Sequence, residues 1–138
     1  MPKIEGMPIH HIGFAVRSIE ESKGSFESVG TVFVCHASDL DRNLDFAFGS
    51  MGGVLVELIA PHDPDVPCNV SRFVEKQPCT LYHVCMETDN LDAEIMRLRK
   101  EGFRQVGKRI TSDIYGPMTT GVFMYSIGMG LVEIVMKC

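Results

Sequence analysis

The chain has no tryptophan and only three tyrosines in 138 residues, so an aromatic platform for stacking nucleobases is not expected. It also lacks an excess of positive charge. Thirteen Lys and Arg stand against 18 Asp and Glu, a net charge of −5, which argues against a general nucleic-acid binder. Long hydrophobic runs are missing. The stretch from Gly53 to Ala60 falls far short of the roughly 20 residues a bilayer demands, and no membrane partner is expected. The opening residues, Met1-Pro2-Lys3-Ile4-Glu5-Gly6, have no apolar core of the signal-peptide kind, and a cytoplasmic location is expected. Five cysteines (35, 68, 79, 85 and 138) form no CxxC pair, and their odd number suits no closed disulfide framework. They read as reduced thiols, with Cys35 and Cys85 packed in apolar stretches. No P-loop or Gly-rich phosphate cradle is visible. What remains is ordinary: 45% apolar and 22% charged residues exclude a disordered chain, and the nine methionines read as core filler. The length suits one domain, or two small half-domains sharing a core.

The pattern of the chain occurs twice. Ile9 to Val16, rich in β-branched and aromatic residues, reads as a strand. Ser18-Ile19-Glu20-Glu21 matches a capping box, with Ser18 as N-cap and Glu21 reaching back. Ile19, Ser22, Phe26 and Val29 follow at helical spacing, and Gly30 ends the helix. Thr31 to Cys35, Leu44 to Phe48 and Val54 to Ala60 read as strands, with Gly49 and Gly52-Gly53 as turn signals. The second half repeats this order. Leu81 to Thr88 is a strand. Asp89-Asn90 caps a helix with Leu91, Ile95 and Leu98 on its apolar face, and Gly102 follows its end. Phe103 to Lys108, Val122 to Ser126 and Leu131 to Met136 complete three more strands. Between the halves lie a Pro/Asp-rich loop, His62 to Pro67, and a short helix over Asn69 to Lys76 capped by Asn69. The expected fold is α+β. A single domain over residues 1–138 would hold a βαβββ module at about 8–61, a linker with a short helix at 62–79, and a second module at about 80–137. Each half is marginal alone, so the two are expected to pair into one sheet.

Alternation along the first strand places His11 beside Gly13 and Ala15 on one face, and bulky Phe14 and Val16 on the other. The bulky face suits packing against a helix. Glu57 interrupts the apolar run Val54-Leu55-Val56 and Leu58-Ile59, where a buried carboxylate is costly unless paired or bound to a metal. The second half repeats both features, with His83 in its first strand and Glu133 in its last. The offsets are similar, 83 − 11 = 72 and 133 − 57 = 76. Taken singly, a strand histidine is most often structural and a strand glutamate faces water. Two histidines and two carboxylates at matching repeat positions instead form an N2O2 set suited to a divalent metal such as Zn, Co, Ni or Mn.

Four stretches carry a family resemblance: His10-His11-Ile12-Gly13-Phe14-Ala15-Val16, Val56-Glu57-Leu58-Ile59-Ala60-Pro61, Tyr82-His83-Val84-Cys85-Met86-Glu87 and Leu131-Val132-Glu133-Ile134-Val135. They resemble the vicinal oxygen chelate superfamily, which includes glyoxalase I, methylmalonyl-CoA epimerase, extradiol dioxygenases and the fosfomycin and bleomycin resistance proteins. The resemblance implies paired βαβββ modules forming a half-barrel sheet around a metal, with His11, Glu57, His83 and Glu133 as ligands. It also implies a homodimer, since members are often dimers. The ligand spacings of 46, 26 and 50 residues look most like the methylmalonyl-CoA epimerase branch, as does the inter-module segment Ser71-Arg72-Phe73-Val74-Glu75-Lys76. Epimerases carry a further acid as a base before the strand pair that ends at the Glu57 position. An ungapped count puts Asp41 there, with Asp39 and Asp45 close enough to compete. Two loops depart from the epimerase pattern, Ser126-Ile127-Gly128-Met129-Gly130 and Asp113-Ile114-Tyr115-Gly116-Pro117-Met118, and both help to shape the substrate pocket.

The chemistry expected of such a site is proton abstraction next to a carbonyl, with Glu133 and Asp41 as acid and base on opposite faces of the α-carbon. The substrate is expected to be a small molecule, and an acyl-CoA fits because the α-proton of a thioester is acidic. Arg72, Lys76 and the Arg97, Arg99 and Lys100 cluster read as solvated helix charges rather than a phosphate site. The same four ligands serve a glyoxalase I-like lyase or a thiol transferase. A small-molecule or antibiotic-binding resistance protein is a third reading, which the complete ligand set disfavours.

Overall fold

The computed structural model describes residues 6–114 and 117–138. The chain divides into two compact units. One is His11–Tyr82; the other joins the described residues up to His10 with His83–Cys138.

The first unit carries β1 (Ile9–Val16) from His11 onward, α1 (Ile19–Ser28), β2 (Val32–Asp39), β3 (Leu44–Met51), β4 (Val54–Pro61), α2 (Ser71–Lys76) and the first residues of β5 (Cys79–Glu87). Its strands run in the order β2-β3-β4-β1, with β1 parallel to β4 and the other neighbours antiparallel. Gly52 and Gly53, with φ of 58° and 84°, take the two left-handed positions of the tight turn between β3 and β4. Gly49 is not a turn residue, contrary to the expectation from sequence. It lies inside β3, where an added Cβ would stand 2.9 Å from the Val32 carbonyl oxygen, so close backbone approach rather than chain reversal demands it.

Helix α1 starts as its capping sequence predicts, with Ser18 Oγ accepting from the Glu21 backbone N–H at 3.3 Å. Ile19 and Phe26 join Phe14, Phe33 and Cys79 around buried Val16, Ala47, Leu58 and Ala60. Val29 does not join them. It is the C-cap residue and is 73% exposed, because the helix ends before its last expected apolar position. Asn69 is likewise not a cap: α2 begins later than expected, with Val70 at its N-cap position and no side-chain capping bond.

The second unit carries the rest of β5, then α3 (Leu91–Lys100), β6 (Arg104–Ser112), β7 (Thr119–Ser126) and β8 (Gly130–Lys137). The strand order β5-β8-β7-β6 repeats the connectivity of the first unit, again with one parallel pair, β5 and β8. Asn90 caps α3 by accepting from Ala93 N–H at 3.1 Å, and Gly102 follows the helix at a φ of 93°. Leu91, Ile95 and Leu98 pack on Val122, Met124, Val132 and Ile134. Each unit is thus a βαβββ module, the glyoxalase-like α+β class expected from the sequence.

All five cysteines are free. Cys85 is buried as expected, but Cys35 is exposed, on β2, the outermost strand of its order among the described residues. The core of the first unit centres on Leu58, which is fully buried beneath α1. Leu58→Ala is expected to cost about 2–5 kcal/mol of unfolding free energy through lost transfer and a residual cavity. Urea denaturation followed by circular dichroism measures it, and a cost below about 1 kcal/mol would contradict this account of the core.

Candidate metal centre

Strand register explains how each module brings a histidine and a glutamate together. In the first unit, Gly13 of β1 and Phe48 of β3 are the register partners of Glu57 on its two sides. Partners in register point the same way, and His11, two residues before Gly13, shares that face. His11 and Glu57 are 0% and 1% exposed, and His11 Nε2 stands 3.7 Å from Glu57 Oε1. In the second unit, Cys85 of β5 and Phe123 of β7 flank Glu133 in the same manner. His83 Nε2 lies 3.3 Å from Glu133 Oε1, with side chains 1% and 12% exposed. The structure therefore pairs His11 with Glu57 and His83 with Glu133, each within its own unit. In both modules the face holding the pair is the one turned away from the helix.

The donor sets fit a divalent ion. A carboxylate buried in a strand is tolerated when it is paired or bound to a cation. The 3.7 Å separation in the first pair is too long for a hydrogen bond. Two ligand atoms each about 2.1 Å from one ion, at a tetrahedral angle, lie about 3.4 Å apart. The observed 3.7 and 3.3 Å bracket that value. Imidazole nitrogen with carboxylate oxygen suits Zn, Co, Ni or Mn.

Each histidine also meets a phenyl ring that the sequence pattern does not single out as part of a site. The His11 and Phe48 rings stand at 86° with centroids 6.4 Å apart, and the His83 and Phe123 rings at 87° and 5.2 Å. A signal for them exists, since 123 − 48 = 75 falls between the offsets of the histidines and the glutamates. It becomes visible only once the hairpin registers are known.

The three aspartates near the β2–β3 hairpin separate clearly. Arg42 Nε donates to Asp39 Oδ2 at 2.7 Å, and this bond holds the Asp39 carboxyl below the usual carboxylate range. Asp45 accepts from Ser38 Oγ at 2.7 Å and shares a 2.9 Å contact with His62 Nδ1. Its register partner is Ala60, on the helix side of the sheet, so Asp45 points away from Glu57. There it lines a cleft of about 710 Å³ together with Arg17, His36 and His62. Asp41 lies exposed in the turn between β2 and β3, and among the described residues no side chain donates to it.

The helix charges are surface groups. Arg97 donates to Glu94 Oε2 at 3.0 and 2.8 Å, and Arg99 to Gln105 Oε1 at 3.2 Å. Of the two loops that depart from the epimerase pattern, the turn after Ser126 is held by Met129 N–H, which reaches Ser126 Oγ at 3.1 Å. In the other, Tyr115 and Gly116 lie outside the described residues.

Known proteins are similar to this chain in sequence or in fold. Human mitochondrial methylmalonyl-CoA epimerase is 24% identical over 128 residues, covering 91% of this chain and 72% of the relative. A hypothetical protein from Bacillus halodurans has the same fold, with a TM-score of 0.80 at 17% identity over 97% of this chain and 96% of its own. A variant of Streptomyces coelicolor methylmalonyl-CoA epimerase, solved in complex with 2-nitronate-propionyl-CoA, gives a TM-score of 0.76 at 18% identity, covering 96% of this chain and 95% of that one. The family model of the Glyoxalase/Bleomycin resistance protein/Dioxygenase superfamily matches residues 10–116, and the chain belongs to that superfamily.

Proposed function

We propose that the chain is a metal-dependent epimerase acting on an acyl-CoA, with His11, Glu57, His83 and Glu133 as its metal ligands. The observation that carries this reading is the recurrence of the same buried His–Glu pair, at equivalent register, in two modules of otherwise different sequence. The human relative is named a methylmalonyl-CoA epimerase, and the Streptomyces coelicolor relative was crystallised with an acyl-CoA analogue, which supports this substrate class.

Bound there, the ion supplies Lewis-acid polarisation of a substrate carbonyl, which acidifies the neighbouring C–H. The two glutamates are not equivalent for proton transfer. Glu57 is sealed in the sheet at 1% exposure, whereas the Glu133 side chain is 12% exposed. Glu133 is therefore the carboxylate able to exchange a proton with substrate and solvent. Asp41 is the second acid or base, delivering a proton to the opposite face of the carbon.

Three measurements test the proposal. Elemental analysis of the purified protein is expected to find one divalent ion per chain, and His83→Ala to fall well below that. A wild-type chain without stoichiometric metal would favour a sequestering protein instead. Deuterium wash-in at the α-carbon of methylmalonyl-CoA is expected for the metal-loaded protein. Glu133→Gln should slow it by about 10²- to 10⁴-fold, the usual range for a lost general acid or base. Full turnover in Asp41→Asn would remove Asp41 from the mechanism. Lactoyl-thiol formation from methylglyoxal, with no wash-in, would reassign the chain to the lyases.

A further inference from the structure

Phe48 and Phe123 have no place in the apolar cores beneath the helices. Those cores are Val16, Ala47, Leu58 and Ala60 in one unit, and Leu91, Ile95 and Leu98 of α3 with Val122, Met124, Val132 and Ile134 in the other. The two phenylalanines sit instead on the opposite face of each sheet. Phe48 is the antiparallel register partner of Glu57, and Phe123 that of Glu133. Each ring then stands nearly perpendicular to the imidazole of the same pair, at 86° and 87°. The trio of His, Glu and Phe is thus built twice, from the same three strand positions. Phe48 is itself backed by Phe46, stacked at 12° and 6.5 Å, and Arg42 lies over the Phe46 ring.

This placement addresses a specific weakness of a histidine ligand. The χ2 torsion of an imidazole is broad, so rotamer preference alone does not fix where Nε2 points. A metal-bound histidine commonly has its ring plane set by a hydrogen bond from its second nitrogen, and a ring packed against the imidazole restricts the same torsion. We infer that Phe48 and Phe123 are positioning residues for the metal pairs, each phenyl ring acting as a wall that fixes the imidazole plane and aims Nε2 at its glutamate. The inference rests on the metal reading above and extends it to residues outside the proposed ligand set. Because the His83–Phe123 contact is the closer, at 5.2 against 6.4 Å, Phe123 has the larger effect of the two.

Leucine in place of either phenylalanine keeps an apolar side chain but removes the flat wall. The test is a titration of the metal-free full chain with Co²⁺, reading affinity and the visible ligand-field bands, for wild type, Phe48→Leu, Phe123→Leu and Phe33→Leu. Phe33 packs beneath α1 on the helix side, so its variant reports ordinary core loss. Phe123→Leu is expected to weaken Co²⁺ binding by about 10-fold or more and to shift the bands, with Phe48→Leu affected less. Phe33→Leu is expected to lower the thermal midpoint while leaving Co²⁺ affinity and bands unchanged. Wild-type bands and affinity in both site variants would overturn the inference while leaving the metal reading intact, as would an equal loss in the Phe33 control. Absence of Co²⁺ binding by the wild type would overturn the metal reading, and the inference with it. The two site variants are read separately, so failure of one to fold leaves the other to decide.

Discussion

Each module is organised around the burial of a carboxylate in the middle of a strand. Removing an unpaired charge from water is prohibitively costly, so Glu57 at 1% exposure requires a favourable partner on its own face of the sheet. The parallel pairing of β1 with β4 supplies one by placing His11 on that face, and β5 with β8 does the same for His83 and Glu133. A slip of one residue in either register would turn the glutamate into the apolar helix side. The hydrophobic packing beneath α1 and α3 therefore protects the polar pairs indirectly. Leu58 and Ala60, which hold β4 against its helix, alternate with the positions that carry Glu57 and Ile59, so anchoring one face fixes the other.

Much of this is legible in the sequence because it depends on short-range pattern. The eight strands and the two long helices follow from β-branched runs, alternation and the caps Ser18 and Asn90, whose side chains make the expected bonds. The His and Glu candidates are legible because the chain repeats, and a repeat turns one ambiguous residue into two matched ones. What is not legible depends on partners distant in sequence. Gly49 reads as a turn signal, yet its role is set by the approach of Val32 across the hairpin. Cys35 lies in an apolar run, yet its side chain is exposed, because what covers it depends on the packing around the outer strand β2 and not on its neighbours in sequence. Phe48 and Phe123 look like core residues until the hairpin registers set them opposite the glutamates. Asp45 competes with Asp41 by position along the chain, and the register alone turns it to the helix side.

The buried pairs say more about what the site can hold than about which reaction follows. Imidazole and carboxylate donors suit a divalent ion whether the chemistry is epimerisation, lysis of a thiol adduct or none. The choice among these lies in the groups around the metal. Among the hairpin aspartates, Asp39 is engaged by Arg42 and Asp45 by Ser38 and His62, which leaves Asp41 as the hairpin carboxylate not committed to a side-chain partner among the described residues.

The two copies of the trio have also diverged, and the differences run in one direction. In the first, the glutamate is sealed, its histidine stands 3.7 Å away, and glycine is its parallel neighbour. In the second, the glutamate is more open, the separation is 3.3 Å, the phenyl ring is closer, and Cys85 replaces glycine as the neighbour. A ligand whose task is only to anchor benefits from full burial, because water then competes least for the bond. A ligand that must also carry a proton needs some access to solvent, and its histidine must be held more firmly while it moves. Under the proposed chemistry the two pairs therefore have different tasks, His11 and Glu57 anchoring the ion and His83 and Glu133 also carrying the proton.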